Sequence, residues 1–217
     1  MNKLNCVNIG CGASPIKGWV NYDSSFFVLL GGVPLIRGVI KKLFFSNKGI
    51  KELMIKTELC GIRYADAGKH IPERNGSVVV LYSSHMLEHL DKEEATNFLK
   101  EAYRVLAPKG IIRLVVPDIR NLVDRYLKHG DADKFIGDTA LVAAKPKKFI
   151  KKIQYLVIGH GWHHRMYDFV LLQKLLTSFG FIEIKEFKAG GTMIPDTSDM
   201  DLEAHKWCSL YVEAIKP

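Results

Sequence analysis

A short apolar run passes into a glycine-rich turn in the stretch Leu4-Asn5-Cys6-Val7-Asn8-Ile9-Gly10-Cys11-Gly12-Ala13-Ser14-Pro15. The run from Leu4 to Ile9 predicts a short buried strand. The two glycines allow the backbone to turn tightly and to approach a ligand closely. The dinucleotide-binding fingerprint has a third glycine where this chain has Pro15, which disfavours a site for the pyrophosphate of NAD. The stretch therefore predicts a strand followed by a ligand-binding turn of another kind.

Further strand patterns alternate with helical patterns along the chain. The run Ser77–Tyr82 has Val78-Val79-Val80-Leu81 at its centre, as expected of a strand buried on both faces of a parallel sheet. The other predicted strands are Trp19–Tyr22, Ile62–Tyr64, Ile111–Val116, Phe181–Phe187 and Trp207–Ile215. Helical spacing of apolar residues lies between them, at 95–106, 122–127 and 171–179. This alternation predicts an α/β fold, a doubly wound and mostly parallel sheet with helices on both faces.

Length and composition fit one globular domain. The chain has 217 residues, of which 47% are hydrophobic and 25% charged, a profile that argues against disorder. We predict a single domain over residues 1–217, with insertions at about 26–59 and 131–161 near the rim of the site. The four cysteines show no C-x-x-C or zinc-ligand spacing and no secretory signal is apparent, so we expect a cytoplasmic protein.

The chain is basic, with a net charge of +8. Such a charge favours anionic partners. The lysine-rich run 145–152 is either a solvated helix face or a basic patch for a phosphorylated substrate, an anionic lipid surface or RNA. The apolar stretch Phe26–Phe45 is interrupted by Pro34 and by charged residues, which argues against a membrane-spanning helix. It either packs in the protein or forms a lid at a membrane, so peripheral membrane contact accompanies the cytoplasmic expectation.

Polar residues follow successive predicted strands in a definite order. The glycine turn comes first, Asp23 ends the second strand, Asp66 follows the third, and Ser83-Ser84-His85 follow the fourth. Parallel sheets bind ligands at the carboxyl ends of their strands. An acidic residue after the second strand can accept hydrogen bonds from both hydroxyls of a ribose. Each feature also occurs in ordinary turns and caps, so the prediction of a nucleoside site rests on their order.

These motifs resemble the predicted S-adenosylmethionine (SAM)-dependent methyltransferases of the class I superfamily, of the type 11 kind. The matching segments are N-I-G-C-G-x-x-P at 8–15, G-W-x-N-x-D at 18–23, Y-S-S-H-x-L-E-H-L at 82–90, L-x-P-K-G-I-I-R-L-x-V-P-D at 106–118, H-R-M-Y-D at 164–168 and L-L-x-x-F-G-F at 175–181. The resemblance covers most of the chain and is weakest at 26–59. It implies a Rossmann-like sheet of seven strands, the last of them antiparallel, and SAM as cofactor with S-adenosylhomocysteine (SAH) as product.

The resemblance also implies roles for individual residues. The cofactor-binding residues would be Asn8, Gly10, Cys11, Gly12, Asp23, Asp66, Ala67, Ser83 and Ser84. The glycine turn would lie against the methionine part of SAM, Asp23 would hold the ribose, and Asp66 with Ala67 would flank the adenine. Ser83, Ser84 and His85 would line the side where the methyl group leaves.

Methyl transfer requires a base only when the acceptor carries a proton that it does not shed unaided. We predict His85, His164 or Asp118 for this role, with His163 as a further candidate, because all are expected at the same rim. A histidine is suitable because its pKa lies near working pH. The alternative for His163 and His164 is a structural pair in a loop. No metal site is expected, since His160, His163 and His164 lack a carboxylate at a suitable spacing.

The expected function is methyl transfer from SAM to a small-molecule acceptor, such as a sugar or a glycan or lipid precursor. An RNA methyltransferase is the first alternative, favoured by charge. The place of the N-P-P-Y-like motif typical of amino-directed nucleic-acid enzymes is taken here by Ser83-Ser84-His85, so nucleic acid is not the expected partner. The second alternative is a SAM-binding protein without catalysis.

Overall fold

The structure is a computed structural model that describes residues 5–31, 48–142 and 162–217. Its strands are β1 (Asn5–Ile9), β2 (Val20–Asp23), β3 (Arg63–Tyr64), β4 (Val78–Ser84), β5 (Leu106–Pro117), β6 (Ile182–Phe187) and β7 (Ser209–Ile215). They form one sheet in the order β3-β2-β1-β4-β5-β7-β6. The first five strands are parallel, whereas β7 runs antiparallel to both β5 and β6. The predicted Rossmann-like, mostly parallel sheet of seven strands with an antiparallel last strand is confirmed.

Six α-helices accompany the sheet in the described residues. They are α1 (Phe26–Gly31), α2 (Lys48–Cys60), α3 (Lys92–Val105), α4 (Ile119–His129), α5 (Ala132–Thr139) and α6 (Phe169–Ser178), and a 3-10 turn spans Leu87–His89. The start of α3 is fixed by a capping box, in which the Asp91 carboxylate accepts from the backbone N–H of Glu94 while the Glu94 carboxylate accepts from that of Asp91. This cap sets where α3 begins to cross the sheet.

The core lies on both faces of the sheet. On one face, Val7, Ile9 and Leu81 pack with buried residues of α3 and α6, such as Phe98 and Leu172. On the other face, side chains of β4, β5 and β7 pack against Ile16, Ile194 and Met200. The segment 191–205 is therefore held over the sheet, where it can wall a site.

A buried ion pair anchors that segment. Arg113 on β5 and Glu213 on β7 are cross-strand partners, both fully buried, and their side chains are bonded to each other. Arg113 also donates to the Gly191 carbonyl at 2.9 Å, while the Thr192 hydroxyl and the Met193 N–H donate to Glu213 at 2.6 and 2.7 Å. Since a buried charge is tolerated only when it is paired and hydrogen-bonded, the pair fixes the start of the segment 191–205 on the sheet.

Parts of the predicted insertions fall outside the described residues. The first contains α1 and α2, and its residues 32–47 are outside. The second contains α5, and its residues 143–161, with the lysine-rich run and His160, are outside as well. The single-domain organisation with these insertions stays a prediction. Among the described helices, none has the length and apolar character needed to cross a membrane.

Candidate cofactor and active site

Two cavities open at the carboxyl edge of the parallel strands. The Asp23 cavity, of about 550 Å³, is lined by Gly12, Asp23, Asp66, Ala67, Met86 and His164 among others. The His205 cavity, of about 460 Å³, is lined by Asn8, Cys11, Ser84, Asp199, Asp201 and His205 among others. Both volumes are in the range of small-molecule sites. Gly10 and His85 line both cavities, so the two cavities adjoin at these residues.

Asp23 holds the glycine turn in place. One carboxylate oxygen accepts from the Gly12 N–H at 2.8 Å and the other from the Ser25 N–H at 2.8 Å. Gly10 and Gly12 have φ of +68° and +50°, values that side chains other than glycine rarely adopt. A Cβ on Gly10 would lie 2.4 Å from Met86 Cγ. The predicted turn is thus real, and it is closely packed against the residue that follows His85.

Asn8 stabilises the turn through hydrogen bonds of its side chain. Its side chain is buried and donates to the Ser14 carbonyl at 3.2 Å and to the Asn21 side-chain oxygen at 3.1 Å. Cys11 is buried too, and burial raises the pKa of its thiol to about 12, so the thiol stays protonated. Asn8 therefore orders the loop, and Cys11 contributes a neutral, packed side chain to it.

Asp66 and Ala67, which follow β3, also line the Asp23 cavity. One carboxylate oxygen of Asp66 forms a salt bridge with Lys69 Nζ at 2.8 Å. The aspartates after β2 and β3 thus line one cavity with Gly10 and Gly12, as their order in the sequence predicts.

His85 follows β4 in a strained backbone conformation. Its φ is +50°, which costs about 1–2 kcal/mol for a residue with a Cβ. Its Nε2 lies 2.8 Å from Ser209 Oγ and its Nδ1 lies 3.2 Å from Glu88 Oε1. The ring is therefore held between β7 and the 3-10 turn. Strain of this kind clusters at functional sites.

The two serines before His85 differ in position. Ser84 lines the His205 cavity. Ser83 is buried, and its hydroxyl has no hydrogen-bond partner within the described part of the chain. The structure thus places Ser84 at a cavity and Ser83 inside the sheet.

His205 is a site residue that the sequence analysis missed. Its ring centroid lies 4.3 Å from that of His85, and its φ is also +50°. Burial and the neighbouring His85 lower its pKa, which favours the neutral imidazole that can accept a proton. The direction of β7 could have indicated it, because an antiparallel strand begins at the edge of the sheet where the parallel strands end, and His205 lies just before β7.

His163 and His164 lie against the 3-10 turn. The backbone N–H of His164 donates to the Glu88 carbonyl at 2.7 Å, and its side chain lines the Asp23 cavity. His163 points to the Glu88 side chain, with its Nε2 3.8 Å from Oε1, and burial lowers its pKa. The structure thus brings His85 and His164 to one cavity, as predicted.

Asp118 lies elsewhere. It caps α4 by accepting from the Arg120 N–H at 3.0 Å, and it lines a small cavity of about 120 Å³ with Asp168 and Glu186. Burial raises the pKa of its carboxyl. Although Asp118 follows β5 as predicted, the cap turns its side chain into a cavity separate from the other two. The structure therefore does not bring it together with His85 and His164.

The Asp23 cavity fits SAM. Each Asp23 oxygen accepts one backbone N–H and retains a lone pair for a ribose hydroxyl. Gly12 leaves the backbone bare where a ligand can approach, since a Cβ there would meet no atom within 4 Å. The Asp23 carboxylate and the glycine turn thus match the two parts of SAM, which is a nucleoside joined to an amino acid.

Comparison with known proteins agrees with this geometry. A sequence model described as a methyltransferase domain matches residues 45–114. No curated protein matches the chain in sequence. Among solved structures, a SAM-dependent methyltransferase from Thermotoga maritima, a possible histamine N-methyltransferase, aligns over 98% of this chain and 82% of its own, with a TM-score of 0.52 and 16% identity. A SAM-dependent methyltransferase from Methanosarcina mazei aligns over 100% and 93%, also with a TM-score of 0.52 and 16% identity.

At this identity the two structures show a shared fold. The fold, the matched methyltransferase segment and the ordered glycine and aspartate positions agree with one another. Residues 45–114 thus match a methyltransferase domain, and the chain shares the fold of SAM-dependent methyltransferases.

Proposed function

We propose that the protein transfers a methyl group from SAM to a polar small molecule held in the His205 cavity. The observation that carries this proposal is the pair of cavities that meet at Gly10 and His85. One cavity fits the methyl donor, and the second is large enough for an acceptor. Cavities that adjoin at these residues bring donor and acceptor close, which is the main contribution that a protein makes to a displacement of this kind.

The residues of the Asp23 cavity would hold the donor. Asp23 would accept hydrogen bonds from the ribose hydroxyls, while Asp66 and Ala67 would flank the adenine. Gly10 and Gly12 lie against the methionine portion. When bound, SAM supplies an electrophilic methyl group on a sulfonium, which is transferred to the acceptor with SAH as product.

The lining of the His205 cavity favours a hydroxylated acceptor. Asp199, Asp201 and Lys56 line it together with Ser84 and His205. These side chains offer charged acceptors and a donor for hydrogen bonds to hydroxyl groups. This lining supports a sugar, or a sugar-bearing glycan or lipid precursor, over an apolar acceptor.

Two histidines are placed to take a proton from such a hydroxyl. His85 and His205 both line the His205 cavity, with their rings in contact. His164 lines only the donor side. We therefore assign the role of base to His85 or His205, with His164 positioned for donor binding. An anionic acceptor or membrane surface reached through residues 145–152 stays a prediction.

A screen with methyl-labelled SAM tests the proposal. Sugars and nucleotide sugars, biogenic amines, phospholipid headgroups and RNA are offered in parallel, and labelled product is measured. We expect transfer to a hydroxylated acceptor, with kcat/KM at least tenfold lower in Asp201→Ala and SAM affinity unchanged. Asp131→Ala, which removes a helix cap that lines neither cavity, is the control.

Other outcomes of the screen identify the alternatives. Transfer to RNA alone would replace the proposal with an RNA methyltransferase. Tight SAM binding without transfer to any compound class would favour a SAM-binding protein that does not catalyse.

A further inference from the structure

A cluster of metal-ligand side chains lies next to His85, whose Nδ1 is 3.2 Å from Glu88 Oε1. It consists of Glu88 and His89 in the 3-10 turn and His163 from the segment after α5, here called the Glu88 cluster. One ligand atom from each residue lies within 4.8 Å of the others. The sequence analysis expected no metal because the histidines at 160–164 lack a nearby carboxylate. The fold supplies that carboxylate from a distant segment.

Glu88 is the unusual member. Its side chain is fully buried, and neither carboxylate oxygen accepts a hydrogen bond from the described residues. Among the described residues, two imidazoles face Oε1, with His85 Nδ1 at 3.2 Å and His163 Nε2 at 3.8 Å. A buried carboxylate is costly unless it is paired or coordinates a metal. The side chain thus points into the cluster without a hydrogen-bonded partner there.

The histidines are oriented as metal ligands are. His89 Nδ1 lies 2.9 Å from the Trp162 carbonyl oxygen, so this nitrogen carries the proton and leaves the Nε2 lone pair available. His163 presents Nε2 towards Glu88. The backbone N–H groups of His164 and Arg165 both donate to the Glu88 carbonyl, at 2.7 and 3.2 Å. These bonds hold the two segments of the cluster together.

The spacing is close to that of a coordinated ion. Two ligands at about 2.0–2.1 Å from a tetrahedral centre are about 3.4 Å apart. The distance from His163 Nε2 to Glu88 Oε1 is 3.8 Å. All three ligand atoms lie within 4.8 Å of one another, so side-chain rotations that shorten these separations would bring them onto one ion.

We propose that Glu88, His89 and His163 bind one divalent transition-metal ion of the Zn²⁺ class. Two imidazoles and one carboxylate form a ligand set typical of such ions, whereas Mg²⁺ and Ca²⁺ prefer oxygen ligands. His89 also lines the Asp23 cavity, so a fourth coordination position can face that cavity. The proposal rests on the cluster alone and does not depend on the identity of the methyl acceptor.

The experiment uses the full chain after treatment with a chelator and removal of the chelator. Zn²⁺ is titrated by calorimetry, bound metal is counted by elemental analysis, and Co²⁺ is added to follow its absorption bands. We expect one ion per chain and a rise in melting temperature. Glu88→Gln and His163→Ala should each weaken Zn²⁺ binding at least tenfold. His129→Ala, which removes an exposed histidine at the end of α4, should leave it unchanged.

Three results would overturn the proposal. The first is the absence of stoichiometric Zn²⁺ binding, and the second is equal affinity in the wild type and in a folded cluster variant. The third is preferential binding of Mg²⁺. If Glu88→Gln does not fold, His163→Ala decides, with its fold checked by circular dichroism. SAM affinity is measured in the same chelated samples, so a failed metal site is distinguished from a failed cofactor site.

Discussion

Replacing Asp23 with alanine tests how the glycine turn and the ribose site depend on each other. In the structure the carboxylate accepts from the Gly12 and Ser25 N–H groups, both at 2.8 Å. Removing it leaves these two donors without their acceptor and removes a charged acceptor from the ribose. Loss of a hydrogen bond to a charged group costs about 1.5–3 kcal/mol. That corresponds to an increase of roughly 10- to 150-fold in the dissociation constant for SAM.

The assay is a calorimetric titration of SAH and SAM into wild type, Asp23→Ala and Asp23→Asn, with thermal melting of each protein. Asp23→Asn keeps one oxygen acceptor, so its affinity should fall between the other two. Asp131→Ala is the matched control, because Asp131 also accepts from a backbone N–H, that of Lys134 at 2.9 Å, but caps a helix away from the cavities. It should lower stability slightly and leave SAM affinity unchanged.

The structure adds a cost in stability to this prediction. Since Asp23 fixes the turn, the melting temperature of Asp23→Ala should fall together with the affinity. An affinity within twofold of wild type in a folded Asp23→Ala protein would refute the reasoning, because Asp23 would then be only a carboxylate at the end of a strand.

Three further predictions concern catalysis, packing and pH. His85→Ala should lower kcat by roughly 10²–10⁴-fold with little change in SAM affinity, whereas His164→Ala should mainly weaken SAM binding. Steady-state kinetics and calorimetry distinguish the two effects. A normal kcat in His85→Ala would exclude His85 as the base. Glu213→Ala leaves the buried Arg113 unpaired and should lower the free energy of unfolding by about 3–5 kcal/mol, as measured by urea unfolding. A loss below about 1 kcal/mol would contradict the role of this ion pair in anchoring the segment 191–205. Bonding to the neighbouring Arg104 lowers the pKa of Glu101 to about 2. The stability that this carboxylate contributes is therefore present above the usual glutamate pKa near 4.5 and is lost as pH falls towards 2. Glu101→Gln should flatten the curve of stability against pH in that window, and an unchanged curve would contradict this prediction.

Much of the fold could be predicted because each element carries a local signal. The apolar centre of β4 and the capping box before α3 are readable without tertiary information. Strand boundaries were predicted less accurately. The structure has β3 at Arg63–Tyr64 and not at Ile62–Tyr64, and β7 begins at Ser209 and not at Trp207, which is exposed. Strand ends depend on pairing with neighbours, and the sequence does not state the register.

The candidate site was predictable where it follows parallel strands in order. Gly10, Gly12, Asp23 and Asp66 all line one cavity because strand order fixes their edge of the sheet. Asp118 satisfied the same rule, but its helix cap turns it into another cavity.

The missed residues come from segments without a regular pattern. His205 precedes an antiparallel strand, so its place depends on the direction of β7. Glu88 meets His163 through backbone bonds between a 3-10 turn and a distant segment. Neither contact has a spacing in the sequence that would reveal it.

The most direct test of the central claim is a calorimetric titration of the folded wild-type chain with SAM and SAH. The ordered series Gly10, Gly12, Asp23 and Asp66 predicts binding of one molecule per chain at micromolar strength. A protein that melts cooperatively, yet binds neither compound at millimolar concentration, would contradict the assignment of the Asp23 cavity as the cofactor site.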